Sequence, residues 1–568
     1  MKRFLTLLLT ALLALTAVFA FAACGDEGEN NNNEPDNPGT SEVTGMTKWS
    51  EDLPILTFPA AAEKVDWIDT TDMNNELKLM LSSLKAVVNS TQPRIYTVEA
   101  DTDSVNWLES LGYAAEDLTE HTSAVSLAVK YKDEIKGAVI WDVEVPDTVN
   151  LASTYAGIEG DVLVCSPMVY AVLAENGMEL EIVRDFREDN FTGKEDVYQY
   201  LYDNLWDQCT HKILTNLSYE TPGYVRDYAI AAKSAVIWLS SGTTGDDTAL
   251  IRKFLGDMED GESALMGWFP EGDEGTFVSL ASEYGVMVWA SDIAENLTFY
   301  ASATEVTPAP LAEVPTAVEN KVYVALIVSD GDNLQYHQHR MRTLWDSYNN
   351  GAYADKFPLT WTFSPAAYAI QPQIMNYYTK NAGDNNCFMT GPSGVAYVYP
   401  RDWTDRNAVN KFYELTNKYC KLTGITVVNN WMGQGSYSSL TSEEIAAFGE
   451  YYTDLLAVYD QQGTGSNEGD GSVNSNGLLV DNLTWNYTQT GESWDSYRYY
   501  IDEALDDLTS TQTPQFVTIQ ENPWKGTGML DDLYRLYDEW KDNEDVVFVR
   551  MDELAMLQRL ANGMSATR

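Results

Sequence analysis

The chain has 568 residues, of which 86 are Asp or Glu and only 35 are Lys or Arg, so its formal net charge is −51 at pH 7. A surface of this sign repels phosphate groups, which makes nucleic acid and anionic lipid poor partners. The five cysteines form no CxxC pair and have no zinc-site spacing, and a chain of this length does not need a disulfide scaffold.

The first segment reads as an export signal. A charged pair at positions 2 and 3 precedes an apolar stretch, and residues 1–23 end directly before Cys24. The residues before Cys24 resemble a bacterial lipobox, although Phe21 replaces the usual aliphatic residue. We therefore expect lipidation of Cys24 and attachment to the outer face of the membrane, with a simple cleaved signal or a retained anchor as alternatives. Residues 24–45 contain almost nothing to bury, which predicts a disordered tether.

Strand-like runs alternate with amphipathic helical patterns across residues 46–305, which predicts an N-terminal α/β domain. The predicted strands are Arg94–Val98, Gly137–Trp141, Val162–Cys165, Ala235–Leu239 and Gly285–Ala290. Helical patterns such as Glu76–Val88 and Val197–Trp206 lie between them. Residues 306–320 carry three prolines and are interpreted as a linker.

From residue 321 to 568 the same alternation predicts a (β/α) barrel-like domain with seven strand candidates. They are Val322–Val328, Leu359–Phe363, Cys387–Thr390, Ile425–Val428, Gly477–Val480, Gln515–Ile519 and Val546–Val549. The predicted helices between them include Asn407–Tyr419, Ser442–Tyr459, Trp494–Leu508 and Leu530–Lys541. Ligands of such folds bind at the carboxyl ends of the strands, so the residues just past each strand are the candidate site.

Carboxylates occupy several of these positions. Asp330 and Asp332 follow the first C-terminal strand, Asp481 and Glu521 follow later ones, and Asp292 follows the last N-terminal strand. Two carboxyl groups facing each other across a cleft are what glycoside hydrolysis requires. Our leading pair is Asp332 with Glu521, because the nearby aromatic ring at position 524 would raise the pKa of Glu521 toward that of a general acid. For each acid the alternative is a helix cap, a turn or a solvated loop.

One segment of the C-terminal half resembles the signature of a known family. Residues 394–400 read GVAYVYP, which resembles the motif of the GxGYxYP family of putative glycoside hydrolases. Ala396 replaces the second glycine of the motif, while both tyrosines and the proline are kept. The resemblance extends to SDGDN at 329–333 and to segments of the N-terminal half, including Gly267-Trp268. It implies a carbohydrate substrate and cleavage of glycosidic bonds by the C-terminal domain.

Aromatic and amide side chains near the predicted strand ends suit a sugar cleft. A flat ring can stack on the apolar face of a pyranose, and polar groups around it can bind the hydroxyls. The candidate substrate-binding residues are Asn333, Tyr397, Tyr399, Trp431, Asn430, Trp524 and Asp292. The alternative is that many of these rings belong to the core.

Two histidines soon after the SDGDN segment suggest an alternative chemistry. A metal-dependent carbohydrate deacetylase would use clustered Asp and His ligands to activate water. Residues two apart on a helix face different sides, so His337 and His339 are not expected to bind one metal. We therefore predict neither a metal nor another cofactor. A third possibility is a surface glycan-binding lipoprotein, which needs only the aromatic cleft.

Overall fold

A computed structural model describes residues 46–99, 105–242, 246–270, 274–351, 353, 356–434, 439–461, 472–484, 493–525 and 528–568. The predicted signal, Cys24 and the predicted tether lie outside these ranges. Within them, no helix combines the length and hydrophobicity that crossing a bilayer requires.

The described N-terminal half is built from small parallel sheets with helices between their strands. Its strands are β1 (Lys48–Trp49), β2 (Leu56–Thr57), β3 (Val65–Asp69), β4 (Ile95–Val98), β5 (Leu118–His121), β6 (Gly137–Ile140), β7 (Val162–Cys165), β8 (Glu181–Asp185), β9 (Ile213–Asn216), β10 (Ala235–Ile237), β11 (Ala264–Gly267) and β12 (Met287–Ala290). Its helices are α1 (Asn75–Thr91), α2 (Ala124–Lys130), α3 (Thr148–Glu159), α4 (Pro167–Glu175), α5 (Lys194–Asn204), α6 (Arg226–Ala231), α7 (Asp246–Gly256), α8 (Glu274–Glu283) and α9 (Leu297–Tyr300).

Three parallel sheets follow one another along this half. Their strand orders are β4-β3-β5, β7-β6-β8 and β10-β9-β11-β12, and a short antiparallel pair, β1-β2, precedes them. The strands of the third sheet are wholly buried, as is usual for a parallel sheet covered on both faces, and they are mostly apolar in sequence. The predicted mixed α/β character of this half is confirmed.

The C-terminal half continues the alternation of strands and helices. Its strands are β13 (Val322–Val328), β14 (Leu359–Thr362), β15 (Asn386–Met389), β16 (Val427–Asn430), β17 (Ala457–Asp460), β18 (Val473–Ser475), β19 (Leu478–Asn482), β20 (Gln515–Glu521) and β21 (Val546–Phe548). Its helices are α10 (Leu334–Gln338), α11 (Arg340–Asn350), α12 (Ala367–Ile370), α13 (Pro372–Lys380), α14 (Arg406–Thr423), α15 (Ser442–Tyr451), α16 (Ser493–Thr511), α17 (Gly528–Trp540) and α18 (Met551–Ala561).

The strands of this half form two curved sheets rather than one continuous closed sheet. The first has the order β15-β14-β13-β20, with β21 also paired to the start of β13, and the second has the order β16-β17-β19-β18. The sheets approach each other at both edges. Thr390 N donates to Val427 O at 3.1 Å on one side, and Thr484 and Thr518 exchange hydrogen bonds of 2.7 and 3.1 Å on the other.

One predicted helix is wrong in its second half. The prediction placed a helix over Ser442–Tyr459, but α15 ends at Tyr451 and β17 follows it. Strand β17 lies between β16 and β19, parallel to both, and all four of its residues are buried. A strand covered on both faces has no alternating pattern, so its apolar run read as the continuation of the helix.

The third N-terminal sheet joins the C-terminal half at the end of β12. Val288 and Tyr397 form an antiparallel bridge, and Ala290 and Asn333 form a parallel bridge. One hydrophobic core contains Trp289 of β12 together with alternate residues of β13, namely Val322, Val324, Leu326 and Val328. The carboxyl ends of β12 and β13 are therefore held side by side.

Candidate active site

The turn after β13 is packed too tightly for any side chain at its centre. A Cβ on Gly331 would lie 2.1 Å from the carbonyl carbon of Thr362, and Gly331 N donates to Thr362 Oγ1 at 2.9 Å. Asp330, just before it, has a φ of +82°, and Asn333, after it, caps α10 by accepting a hydrogen bond from Tyr336 N at 3.2 Å. Close packing thus fixes the positions from which Asp330 and its neighbours project.

The uncharged ring of His337 contacts the backbone of this turn. Its Nε2 lies 3.1 Å from Gly331 O, and Gln371 Nε2 donates to its Nδ1 at 2.7 Å. The ring stacks on Phe363 with 3.8 Å between the centroids. Burial lowers the pKa of His337 to about 3. The ring therefore carries its proton on Nε2 and donates it to the backbone of the turn.

His339 points to a different partner. Its ring lies 3.1 Å from the carboxylate of Glu295, and both side chains are buried. His337 and His339 are therefore not directed at one point. Within the described parts of the chain, no group of three or more His, Cys, Asp or Glu side chains is arranged to hold a metal ion.

A cavity of about 310 Å³ opens at the carboxyl ends of β12, β13 and β20. The described residues that line it are Trp268, Glu274, Ala290, Asp292, Asp330, Asp332, Asn333, Gln335, Asn522 and Trp524. Five of them, Asp292, Asp330, Asp332, Asn333 and Trp524, are sequence-predicted site residues. They come from distant parts of the sequence and meet because the ends of neighbouring parallel strands share one edge.

The two aspartates of the turn titrate abnormally. Burial raises the pKa of Asp330 to about 6, although Trp524 Nε1 donates to its Oδ2 at 2.8 Å and favours the charged form. Burial also raises the pKa of Asp332 well above its ordinary value, and the charges of Asp330 and Glu274 raise it further. Neighbouring carboxyl groups whose pKa values are raised by burial and by like charge are a usual source of the acid and the base in catalysis.

Glu274, the first residue of α8, is a cavity carboxylate that the sequence analysis missed. Tyr397 of the family motif donates a hydrogen bond to its Oε1 at 2.8 Å. The hydroxyls of Tyr397 and Tyr399 lie 3.1 Å apart, and the ring of Trp431 lies 5.7 and 5.4 Å from theirs. Both tyrosines are at most 1% exposed, so they stand behind the cavity wall rather than in it.

Glu521 lies near the cavity but not among its described lining residues. Its carboxylate forms an ion pair of 2.8 Å with Lys525 and accepts the N–H of Asn522 at 2.9 Å. The residue is 1% exposed, and its backbone carbonyl accepts a hydrogen bond from Ser329 N. Glu521 therefore holds the β20 loop beside the Asp330 turn.

Two other predicted residues are bonded to groups that do not line the cavity. Asp481 accepts hydrogen bonds from Ser472 and Gln558, and burial raises its pKa. Asn430 donates to Asp460 Oδ1 at 2.9 Å, and burial raises the pKa of Asp460 to about 6. Neither Asp481 nor Asn430 is among the described residues that line the cavity.

The motif segment tolerates its departure from the family pattern. Gly394 has a φ of +145°, and a Cβ there would lie 2.4 Å from Thr416 Oγ1, so the first glycine is required. Ala396 is buried but does not adopt a positive φ, so its methyl group causes no backbone strain.

The sequence was compared with models of known protein families. Four family models match in succession: the GxGYxYP_N first domain at 64–132, the GxGYxYP_N second domain at 135–209, the GxGYxYP third domain at 211–302, and the GxGYxYP putative glycoside hydrolase C-terminal domain at 320–559. Among curated proteins, none matches the sequence.

A solved structure shares the fold of most of the chain. A putative hydrolase from Bacteroides thetaiotaomicron VPI-5482 aligns with a TM-score of 0.73 and 19% identity, covering 92% of this chain and 99% of its own. Puue allantoinase aligns with a TM-score of 0.30 and 12% identity, covering 45% of this chain and 95% of its own. A probable polysaccharide deacetylase from Pseudomonas aeruginosa PAO1 aligns with a TM-score of 0.31 and 13% identity, covering 42% and 92%. The last two TM-scores are too low to support an argument. The four family models, in contrast, together span most of the sequence. The chain therefore belongs to the GxGYxYP family.

Proposed function

We propose that the protein is an extracellular glycoside hydrolase whose active site is the cavity between the third N-terminal sheet and the C-terminal half. The observation that carries this proposal is the convergence of Asp330, Asp332 and Glu274 on one cavity walled by two indoles. The family description, a putative glycoside hydrolase, points to the same reaction class. In this proposal the seven parallel strands β13 to β17, β19 and β20 act as an incompletely closed (β/α) barrel that presents the site at its carboxyl end.

In the proposed mechanism one aspartate of the turn is the general acid and the other is the nucleophile or general base. Asp332, whose pKa is raised by burial and by the charges of Asp330 and Glu274, acts as the general acid and protonates the oxygen of the leaving sugar. Asp330, which the Trp524 indole favours in the charged form, attacks the anomeric carbon or takes a proton from the attacking water. Glu274 stabilises the positive charge that develops on the sugar ring. The glycosidic bond breaks, and water supplies the hydroxyl of the new reducing end.

The test is the release of reducing ends from a panel of polysaccharides and host-type glycans by the purified full-length protein. Release should be unaffected by a chelator and should be lost in Asp332→Asn and Asp330→Asn. Asp502→Asn, an exposed position on α16, is the matched control. Release that survives both cavity substitutions would overturn the assignment. Binding of a glycan without release by any preparation would instead favour a glycan-binding lipoprotein.

We also propose that the protein is exported and lipid-anchored through Cys24. The support is the sequence of residues 1–24, with its charged start, apolar stretch and small residues before the cysteine. Metabolic labelling with a fatty acid should mark the wild-type protein and leave Cys24→Ala unlabelled. Equal labelling of both, or of neither, would contradict this assignment.

A further inference from the structure

The polar lining of the cavity is dominated by carboxyl groups, and the two side-chain donors with a bond inside it, Trp524 Nε1 and Gln335 Nε2, both donate to these acids. Four carboxylates line the cavity, from Glu274, Asp292, Asp330 and Asp332. Neither Lys nor Arg is among the described lining residues, and the undescribed segments beyond residue 45 contain none. The nearby Lys525 pairs with Glu521 instead.

A second observation is independent of the acids. Gln335 lines the cavity and is only 7% exposed, and its Nε2 donates to Asp292 Oδ1 at 2.8 Å. Its Oε1 has no hydrogen-bond partner. Rotating the amide by 180° would place this oxygen against the Asp292 carboxylate, so the observed orientation is the one that the contact requires. A buried acceptor without a donor is costly unless a ligand or water supplies one.

The carboxyl groups and the amide oxygen of Gln335 would be complemented by a ligand that donates hydrogen bonds. Asp292 and Gln335 present a carboxylate and an amide oxygen side by side, which suits a group that carries both positive charge and several N–H donors. An ammonium group on a sugar ring has this chemistry. An acidic sugar would add charge of the same sign to a site that already holds four carboxylates, which is unfavourable in a desolvated cavity.

We propose that the sugar bound at this site is a free amino sugar, and that Asp292 and Gln335 bind its ammonium group. This inference rests on the proposed function, because it assigns a substrate class to the same cavity. At about 310 Å³ the cavity is at the small end of ligand pockets, which suits one ring. The indole faces of Trp268 and Trp524 supply the apolar surface that the ring itself requires.

The test measures binding separately from turnover, by calorimetry with full-length Asp332→Asn. The ligands are short β-1,4-linked oligosaccharides of equal length, made of glucosamine, N-acetylglucosamine, glucose or glucuronic acid. We expect glucosamine oligomers to bind about tenfold or more tightly than the neutral ones, which corresponds to ~1.4 kcal/mol. Adding Asp292→Asn should remove this preference, whereas adding the exposed Asp502→Asn should not.

The outcomes separate the two proposals. Equal binding of glucosamine and glucose oligomers, or a preference that survives Asp292→Asn, overturns the amino-sugar inference. Gln335→Leu serves as a second probe, since it removes the amide oxygen without changing the charge and should weaken the preference. If the wild-type protein hydrolyses neutral glycans without any preference for amines, only this inference fails. If no glycan of any class is bound or cleaved, the proposed function fails as well.

Discussion

The phenol of Tyr397 lies 2.8 Å from Oε1 of Glu274 and donates a hydrogen bond to it. A tyrosine of the family motif in the C-terminal half thereby holds a carboxylate of the third N-terminal domain at the cavity wall. The motif positions a cavity group and does not itself line the cavity.

Removing this donor should lower turnover more than binding. In Tyr397→Phe the ring stays and the hydrogen bond is lost, so we expect kcat to fall about tenfold, equivalent to ~1.4 kcal/mol, with KM nearly unchanged. The free energy of unfolding should fall by about 1 kcal/mol. Steady-state kinetics and urea unfolding measure both effects. In a Glu274→Gln background the same substitution should add little, and an equally large additional loss there would show that Tyr397 acts elsewhere.

Asp332 and Glu521 should behave differently when neutralised. We expect Asp332→Asn to reduce kcat by a factor of about 100 or more, since it removes the proposed proton donor. Glu521→Gln removes the partner of Lys525 and should act mainly on stability, at a cost of about 1 kcal/mol. Kinetics and chemical unfolding of the two variants decide the matter. A loss of turnover in Glu521→Gln as large as in Asp332→Asn would restore Glu521 as a catalytic acid.

Asp330 should make the fold less stable as the pH rises. Its pKa is about 6 in the folded protein and near 4 in the unfolded chain, so the folded state binds more protons between these values. Stability from this group is therefore present below pH 4 and is lost as the pH rises through 6. We expect Asp330→Asn to be more stable than the wild type at pH 7 by about 1–2 kcal/mol, and equally stable near pH 4. Unfolding curves at both pH values test this, and a destabilised Asp330→Asn at pH 7 would contradict it.

The hydrolytic activity should depend on pH through the ionisation of Asp330 and Asp332. Turnover requires charged Asp330 and protonated Asp332, so the rate should rise through a pKa of about 6 and fall again at higher pH as Asp332 ionises. A bell-shaped profile of kcat/KM is therefore expected. The profile of the control variant Asp502→Asn should match the wild type, and a rate that only falls as the pH rises through 6 would reverse the roles.

His337 should give a stability profile of the opposite sign. Its pKa is about 3 when folded and near 6.5 when unfolded, so the unfolded chain binds more protons between these values. The stability due to the buried neutral ring is fully present above pH 6.5 and declines as the pH falls toward 3. Lowering the pH from 6.5 to 5 should cost the wild type about 2 kcal/mol more than it costs His337→Gln. Parallel profiles for the two proteins would show that the pKa of the ring is the same in the folded and the unfolded chain.

The sequence indicated where the site lies better than which acids form it. Asp292, Asp332 and Trp524 were identified because each follows an apolar strand, and parallel strands bring such positions together. Asp481 follows the predicted strand Gly477–Val480, yet it lies within β19 and its side chain accepts a hydrogen bond from Gln558. At the last residues of a strand the alternation of side chains ends, so the sequence pattern cannot say which way such an acid points.

The residues that were missed depend on long-range contacts. Glu274 opens a helix in the connection after β11, and only its contact with Tyr397, more than a hundred residues later, identifies it as part of the site. Strand β17 was missed for a related reason, since a fully buried strand and a buried helix turn have the same apolar composition. In both cases the signal lies in tertiary packing rather than in local sequence.

The contact between β12 and the motif segment, residues 394–400, means that the C-terminal region cannot be separated from the third N-terminal sheet without dividing the cavity wall. Val288 and Tyr397 pair through their backbones, and the indole of Trp289 donates to Val395 O at 2.9 Å. The motif segment thus uses β12 as its neighbouring strand, and the acids on the two sides of this contact are aligned by it. A recombinant fragment carrying only the C-terminal region would keep Asp330 and Asp332 but lose Glu274 and Asp292, so grafting that region onto another protein would transfer only half of the proposed active site.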